Sequence, residues 1–444
     1  MKRDHDMNGM AYARGSMMMK KNKTEQSGND FILFVYILWG LWYVFFTSSL
    51  VLRPYYNILW PLLAIGGLLL AINKVRHEIR RNSVTFFWIV LFFVTCLISA
   101  LFSNDRTESL DYIQRMLLGV MFALVIASCS NKKLFLQGCR IYSLILLGVS
   151  FLQYFLPSFY INSILPLISQ NRSTLVLGAI NVGYSVGLTN GTSINGCFMA
   201  IGFCLYWAKA VTSKKNKIIN LLIAALFFGM TFATGKRSYS LILIVLFVLS
   251  VGFVDDSRNF VKRTLKILGI VFLAFALFYL ASLQIPSLNN IMNKFIYYIG
   301  QGDISNGRFE LYVDALTAFK EHPLFGIGVN ASGAVLGGAV HNSYLQWLVE
   351  FGIIGIIIPA VFVFRIIVKY AFQLPALWRV DDNINEKEVV LFSLLYCILF
   401  LLAGLFATPF QWTNNFMLFV ICEFFIMDYC KDQNSNLYRE GTTV

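Results

Sequence analysis

Several basic residues and one histidine in this sequence have types and surroundings that suit work on an anionic group. His341 and Asn342 stand directly before a strongly apolar segment, in a chain with only four histidines. Arg308 opens a helix-forming segment, and Lys236 with Arg237 separates two apolar segments. Because arginine binds phosphate groups through two parallel hydrogen bonds, both arginines are candidate anion ligands.

Each of these candidates also has a structural explanation. Arg308 fits a solvated loop arginine, and the side chain of Lys236 fits snorkelling to lipid head groups. Arg172, in SQNRSTL, suits either role. Asn342 is most simply a helix cap, and His341 fits an ordinary residue at a helix N-terminus. Arg308, however, stands in the first turn of its helix, where a cation opposes the helix dipole, so helix stability does not favour it there.

The composition places these residues in a membrane protein. Hydrophobic residues make up 57% of the chain and charged residues 13%, against about 25% charged residues in soluble domains. Apolar runs long enough to cross a bilayer recur along the whole length. The sequence therefore predicts an all-α, polytopic membrane protein with about twelve spans, at residues 31–52, 55–73, 84–102, 112–129, 139–156, 194–212, 217–233, 238–254, 264–283, 343–370, 388–406 and 413–430.

The basic residues predict how these spans are oriented. With the N-terminus in the cytoplasm, 27 of the 36 lysines and arginines fall on the cytoplasmic side. The net charge of +13 is mostly this signal together with contact to anionic lipids, so membrane lipid is an expected partner and nucleic acid is not. Residues 1–30 are expected to form a disordered cytoplasmic tail, 31–430 the membrane domain, and 431–444 a second cytoplasmic tail.

Two outer segments are longer than ordinary connections, at 157–193 and 285–342. Both carry aromatic and branched apolar residues, so we expect them to pack back onto the membrane domain. The second contains the helix that Arg308 opens, which His322 and Pro323 should end. Four residues predict its apolar stripe: Phe309, Tyr312, Leu316 and Phe319.

The sequence gives little reason to expect a metal or another cofactor. The eight cysteines form no CxxC pair and no cluster with histidine, so neither a disulfide framework nor a zinc site is predicted. The outer carboxylates, Asp303, Glu310 and Asp314, lack ligand spacing. Glu350 lies roughly opposite His341 on its helix, so we expect it to be a buried partner for a polar group on another span.

Two motifs together resemble the O-antigen ligase and O-antigen polymerase superfamily of bacterial membrane glycosyltransferases. They are GRFELYVDALTAFKEHPLFGIGVN and HNSYLQWLVEFGIIG, and the similarity is concentrated in 230–358. The resemblance implies an all-helical, C-class glycosyltransferase fold with a large periplasmic loop. It also implies an active site on the periplasmic or exterior side of the bacterial cytoplasmic membrane, and an undecaprenyl-pyrophosphate-linked glycan as donor.

The same resemblance assigns roles to individual positions. Arg237 and Arg308 correspond to the essential arginines of the family, and His341 to its essential histidine. Here the basic turn reads TGKRS, whereas many members have a serine before the arginine, which leaves the role of Lys236 open. Lys236, Arg172 and Asn342 are expected to contact the substrate.

The implied chemistry suits these residue types. Arginines can stabilise the charge that develops on a departing lipid pyrophosphate. A neutral sugar hydroxyl must lose a proton to attack, and a histidine can accept it near neutral pH. Nearby arginines would favour the neutral, basic form of His341.

The sequence does not decide between a polymerase and a ligase. We favour a polymerase of O-antigen or capsular repeat units, because the 157–193 segment offers a second outer platform for a lipid-linked acceptor, although ligases also carry extended outer loops. A ligase that moves finished glycan onto lipid A core or another acceptor is the alternative. A lipid-linked oligosaccharide transporter is a third hypothesis, although the sequence has no internal repeat and its unusual charges cluster at the outer edge. A chain-length regulator protein is a candidate partner.

Overall fold

The computed structural model describes residues 32–45, 53–129, 131–167, 170–189, 191–213, 215–254, 308–370 and 384–439, with isolated positions between 255 and 307. All regular structure in these residues is helical, and no strand occurs among them. The predicted all-α fold class is therefore confirmed. The predicted tail 1–30 lies outside the described residues, as does the span 264–283 apart from isolated positions.

The helices of the first half of the chain are α1 Ile32–Phe45, α2 Arg53–Leu70, α3 Ile72–Arg81, α4 Ser83–Leu101, α5 Arg106–Ala127, α6 Lys132–Phe155, α7 Pro157–Ser163, α8 Gln170–Asn181 and α9 Thr192–Thr212. Those of the second half are α10 Lys217–Ala233, α11 Arg237–Val254, α12 Arg308–Glu321, α13 Ser332–Leu336, α14 Ser343–Gly355, α15 Ile357–Tyr370, α16 Ile384–Gly404 and α17 Thr413–Arg439. Short 3₁₀ helices occur at Leu165–Leu167 and Pro409–Gln411.

Five of the described helices, α4, α5, α6, α9 and α16, are long and apolar enough to cross a bilayer. The bent pairs α2–α3 and α14–α15 raise this number to seven if each pair is one span. Helices α1, α10 and α11 are apolar but shorter. These helices support a membrane protein, while the total of about twelve spans stays a prediction.

The predicted single span 343–370 is instead two helices, α14 and α15, which meet at an angle of 116°. Pro359 is the strongest local signal for a kink in this segment, but the chain does not bend there. Pro359 lies in the first turn of α15, where backbone N–H groups have no helical partner and proline is tolerated. The break lies at Gly352, whose φ of 67° and ψ of −178° are not helical. The Tyr344 ring stacks on Phe364 at 5.7 Å, so α14 runs back beside α15.

Two further boundaries differ from the prediction. The segment 74–83, expected to be a loop, belongs mostly to α3, which meets α2 at 78°. Val75 and Glu78 are buried on one side of it, so the amphipathic pattern of this short charged segment forms a packed helix. Helix α17 continues past the predicted boundary at 430 and ends at Arg439.

Helix α17 lies at the centre of the described bundle, since every one of its residues from 415 to 430 is buried. Two ion pairs within the bundle join helices that are distant in sequence. Arg365 of α15 pairs with the fully buried Glu423 of α17, and Arg140 of α6 pairs with Glu388 of α16. The unusual charges are therefore not confined to the predicted outer edge, because a charge buried in a bundle is tolerated when it is paired.

A second set of paired charges lies at the end of the bundle predicted to face the cytoplasm. The buried Asp428 accepts hydrogen bonds from Lys132 Nζ at 2.7 Å and from Asn82 Nδ2 at 2.9 Å. Arg81 lies 3.6 Å from Asp428 and donates to Asp432 at 2.6 Å. These five residues, called the aspartate cluster below, tie α3 and α6 to α17 by matching each cation with a carboxylate.

Candidate active site

The turn that carries Lys236 and Arg237 is held in place from one side by the segment 183–187. The N–H of Ser185 donates to the Ala233 carbonyl at 2.8 Å, where α10 ends. Gly235 lies against the Tyr184 ring with a φ of 71°, and a Cβ there would come within 2.6 Å of that ring. These contacts fix the position of the turn, and α11 begins at Arg237.

The 183–187 segment is in turn fixed by Gln153, a buried side chain in α6. Its Oε1 accepts hydrogen bonds from the N–H groups of Val186 and Gly187, both at 2.7 Å. Its Nε2 donates to the Tyr184 carbonyl at 3.2 Å. This one side chain thus pairs three backbone groups. A segment without regular structure supplies few such partners of its own.

The predicted outer segment 157–193 contains ordered helices and packs on the bundle, as expected. Tyr160 and Leu165 form a small core with Val176 and Val186. The Tyr160 hydroxyl donates to the Gly187 carbonyl at 2.6 Å, which adds a second support to the 183–187 segment.

Arg308 is half-buried and begins α12, which ends at Glu321 as the sequence predicts. The packed face of this helix differs from the predicted stripe. Ala315 and Ala318 are its buried residues, whereas Phe309 and Leu316 are exposed. Tyr312 and Phe319 do pack on the core, as predicted. Small residues at the contact let α12 approach its neighbours closely, and counting only the larger apolar side chains misses that face.

The motif PLFGIG fills the break in α14. The N–H groups of Ile327 and Gly328 donate to the carbonyls of Val349 and Glu350 at 3.0 and 3.1 Å. In return, the carbonyls of Pro323 and Leu324 accept from the N–H groups of Ile353 and Ile354 at 2.9 and 3.2 Å. The backbone groups released by the break are therefore paired with the PLFGIG segment.

Glycine is required where these two segments touch. A Cβ at Gly326 would lie 2.4 Å from the backbone of Glu350, and one at Gly352 would lie 2.4 Å from the backbone of Leu324. Both residues also have positive φ, 72° and 67°. Backbone cannot move aside as a flexible side chain can, so this junction fixes the position of α14 relative to α12.

Glu350 is fully buried just before the break. Its Oε1 accepts hydrogen bonds from Ser332 Oγ at 2.8 Å and from Gln346 Nε2 at 2.7 Å. The prediction of a buried polar role is confirmed, but Ser332 belongs to the short helix α13 rather than to another span. The carbonyl of Glu350 accepts from Ser99 Oγ of α4 at 2.9 Å. The residue thus joins α13 and α4 to α14.

His341 lies directly before α14 in a left-handed backbone conformation, with a φ of 57°. This conformation is uncommon for a residue other than glycine and costs about 1 kcal/mol. Asn342 then caps the helix, because its Oδ1 accepts the N–H groups of Tyr344 and Leu345 at 3.0 Å each. His341 thus stands outside the helix, and its side chain is exposed.

Charged residues from two segments distant in sequence, α12 and the basic turn, act on this imidazole. Partial burial lowers the pKa of His341 below its ordinary value, and the positive charges of Arg308 and Lys236 lower it further. The neutral imidazole, which can accept a proton, is therefore favoured near neutral pH. We call His341, Arg308 and Lys236 the histidine cluster.

The structure describes the other predicted site residues to different extents. Arg237 is half-buried and follows Lys236 as the first residue of α11. Arg172 belongs to α8, but its side chain lies outside the described residues. The Oδ1 of Asn342 serves the helix cap, and a contact between its remaining amide group and a substrate stays a prediction.

Sequence reasoning missed the residues that support this site. Gln153 stands as one polar residue in the apolar stretch GVSFLQYF, which is the signal that could have identified it. Gly352 stands inside the apolar run VEFGIIG, where a glycine marks a helix break only if another segment pairs with the released backbone. Within the part of the chain that the structure describes, no three metal-ligating side chains lie together, and independence from metal stays a prediction.

Comparison with known families adds to this geometry. Residues 222–360 match the family model described as O-antigen ligase, whose members are glycosyltransferase-like enzymes. The matched part contains the basic turn, α12 and α14, and therefore the whole histidine cluster. No curated protein matches the chain at a significant level. This match confirms the resemblance of this part of the chain to the O-antigen ligase and O-antigen polymerase superfamily.

Proposed function

We propose that this chain is a membrane glycosyltransferase that transfers a glycan from a lipid-pyrophosphate donor at the outer face of the bacterial cytoplasmic membrane. The observations that carry the proposal are the exposed His341 at the start of α14, whose pKa the charges of Arg308 and Lys236 lower, and the family match over 222–360. Two cations beside a proton acceptor suit a reaction in which an anion leaves while a hydroxyl group loses its proton.

The reaction can be written with each group in a role. The acceptor hydroxyl oxygen attacks the anomeric carbon of the donor glycan, and the bond from that carbon to the phosphate oxygen breaks. The lipid pyrophosphate leaves with the electron pair, and His341 takes the hydroxyl proton. Arg308, Arg237 and Lys236 stabilise the growing negative charge, and a single well-placed donor contributes about 2.7–4 kcal/mol.

The acceptor decides between two forms of this activity. We favour a polymerase, in which the acceptor is a second lipid-linked repeat unit and the donor is carried on undecaprenyl pyrophosphate. The described part of the 157–193 segment supports this choice, since it offers a second platform that contacts the basic turn through Tyr184, which Gln153 holds in place. Arg172 lies on that segment and would contact a glycan there, and a chain-length regulator protein is the expected partner.

A ligase is the alternative, and the description of the matched family favours it. It would move finished glycan onto lipid A core or another acceptor with the same chemistry at His341. Transport of a lipid-linked oligosaccharide is the third candidate. Two buried ion pairs argue against transport: Arg140–Glu388 and Arg365–Glu423. Transport would require helices to move apart, and losing one partner of a buried pair costs about 3–5 kcal/mol.

The decisive experiment uses purified full-length protein in liposomes with a defined undecaprenyl-pyrophosphate-linked repeat unit. Mass analysis of the products should find glycans that are longer by whole repeat units. Growth only when a lipid A core acceptor is added would replace the polymerase by the ligase. Movement of the lipid across the bilayer without a new glycosidic bond would contradict the proposed enzyme.

A further inference from the structure

Helix α12 has an exposed apolar face that the site does not use. Phe309, Val313 and Leu316 are 66%, 62% and 43% exposed. Their spacing of four and three residues puts them on one side of the helix, one above the other. We call these three residues the apolar ridge.

The rest of α12 shows that the ridge is a separate face. Ala315 and Ala318 point to the protein core. Three polar residues are exposed on a third side: Glu310, Asp314 and Thr317. Lys320 is exposed on the ridge side in the last turn, where a lysine stem can lie along an apolar surface while its ammonium group reaches the head groups. A helix in water gains nothing from sorting its exposed residues into an apolar side and an acidic side, whereas a helix at a boundary between lipid and water does.

The chain that follows α12 joins this helix to the C-terminal end of α4. Phe325 stacks on Phe102 at 4.7 Å with the rings nearly parallel. The N–H of Asn104 donates to the Ile327 carbonyl at 3.1 Å. The end of α12 is therefore held at the end of a helix that is long and apolar enough to cross a bilayer.

The unpacked side of α4 is apolar along its length, and Val94, Leu97 and Leu101 are exposed there. In a membrane protein such a side contacts lipid chains. Phe325 extends that surface beyond the end of α4, and Leu324 beside it is 53% exposed. The C-terminal end of the helix that carries the apolar ridge is therefore held beside a lipid-facing surface.

We propose that the apolar ridge of α12 is seated among the acyl chains of the outer leaflet, so that α12 lies in the membrane interface. The acidic side, Glu310 and Asp314, then faces the head groups and water. Arg308 stands directly before Phe309, so the ridge holds its guanidinium at the depth of lipid phosphates. This consequence for Arg308 rests on the proposed function, but the contact between ridge and lipid does not.

Spin labels can measure this placement. Cysteines are introduced singly at Val313 and Leu316 on the ridge, with Asp314 and Thr317 as matched controls on the same helix. Of the eight native cysteines seven are buried, so Cys129→Ser gives a suitable background. The labelled full-length protein is placed in liposomes of phosphatidylethanolamine and phosphatidylglycerol. Collision rates are then measured with oxygen, which concentrates in lipid, and with a water-soluble nickel complex.

The ridge positions should show several-fold higher access to oxygen than to nickel, relative to the two controls. Equal nickel access at Val313 and Asp314 would mean that the ridge faces water and would overturn the proposal. Low access to both reagents would mean that protein covers the ridge, either a partner or a second copy, and would overturn it as well. Neither result depends on glycosyl transfer, so a failure here is distinguishable from a failure of the proposed function.

Discussion

The aspartate cluster and the histidine cluster both contain cations from distant parts of the chain. They differ in the group on which these cations act. In the first, Lys132 and Arg81 lie against the carboxylates of Asp428 and Asp432. In the second, Arg308 and Lys236 act on a histidine and lower its pKa. The first arrangement therefore serves helix packing, whereas the second favours a neutral, proton-accepting histidine.

The largest expected effect is the loss of activity when His341 of the histidine cluster is replaced. His341→Ala should reduce kcat by about 10²–10⁴-fold, because a general base contributes that much. Donor binding should stay close to that of the unchanged protein. His322→Ala is the matched control, since His322 is an exposed turn residue at the opposite end of α12 from Arg308 and should keep full activity. A variant at 341 that keeps its turnover at saturating donor but binds donor weakly would make the histidine a phosphate ligand.

Replacing Arg308 by lysine should be nearly as severe, with kcat/KM reduced by about 10²–10³-fold. Lysine keeps the charge but cannot form the planar two-point contact to a phosphate. The rate is measured with the defined lipid-linked repeat unit, at matched amounts of inserted protein. Arg76→Lys, on the exposed side of α3, is the control. Full activity of Arg308→Lys would reduce the role of Arg308 to its charge alone.

The junction that positions the histidine cluster can be broken by one methyl group. Gly326→Ala should lower the apparent melting temperature sharply or prevent folding. The strained backbone alone costs about 1–3 kcal/mol, and the Cβ would also meet the backbone of Glu350. Gly333→Ala, where nothing lies within 4 Å of the added carbon, should be neutral. Thermal unfolding in detergent compares the two, and an equal response would contradict the described pairing.

The aspartate cluster should respond in stability and not in chemistry. Asp428→Asn removes the charge that Lys132 and Arg81 share, while it keeps the size of the side chain. We expect a loss of about 1.5–3 kcal/mol, the worth of a hydrogen bond to a charged group, with kcat unchanged once the folded fraction is equal. A changed kcat in fully folded protein would show that the two ends of the bundle are coupled.

The difference between the clusters also explains what the sequence could predict. Most helices were predicted closely, since long apolar runs and the stop at His322-Pro323 are local signals. The sequence selected His341, Arg308 and Arg237 as catalytic residues, and these roles stay predictions. It placed Lys236, whose charge lowers the pKa of His341, among the substrate-contacting residues instead. The pairing of Arg365 with Glu423 was not predictable, because neither residue carries any local mark of a partner that is distant in sequence.

The break in α14 shows the same limit. Gly352 lies in an apolar run that reads as one continuous span, and proline at 359 is the stronger local signal for a kink. The break forms because PLFGIG supplies the missing hydrogen bonds, which is a tertiary effect. Likewise, the packed face of α12 is set by Ala315 and Ala318, and a search for large apolar side chains passes over alanine.

The most direct test of the central claim is the pH dependence of kcat at saturating donor. If His341 accepts the proton, activity falls on the acid side as the imidazole becomes protonated. The charge of Lys236 lowers the pKa of His341, so Lys236→Met should raise that pKa and move the acid limb to higher pH. Lys133→Met, at the opposite end of the bundle, should leave the limb in place. An acid limb that stays unchanged or moves to lower pH in Lys236→Met would contradict the account.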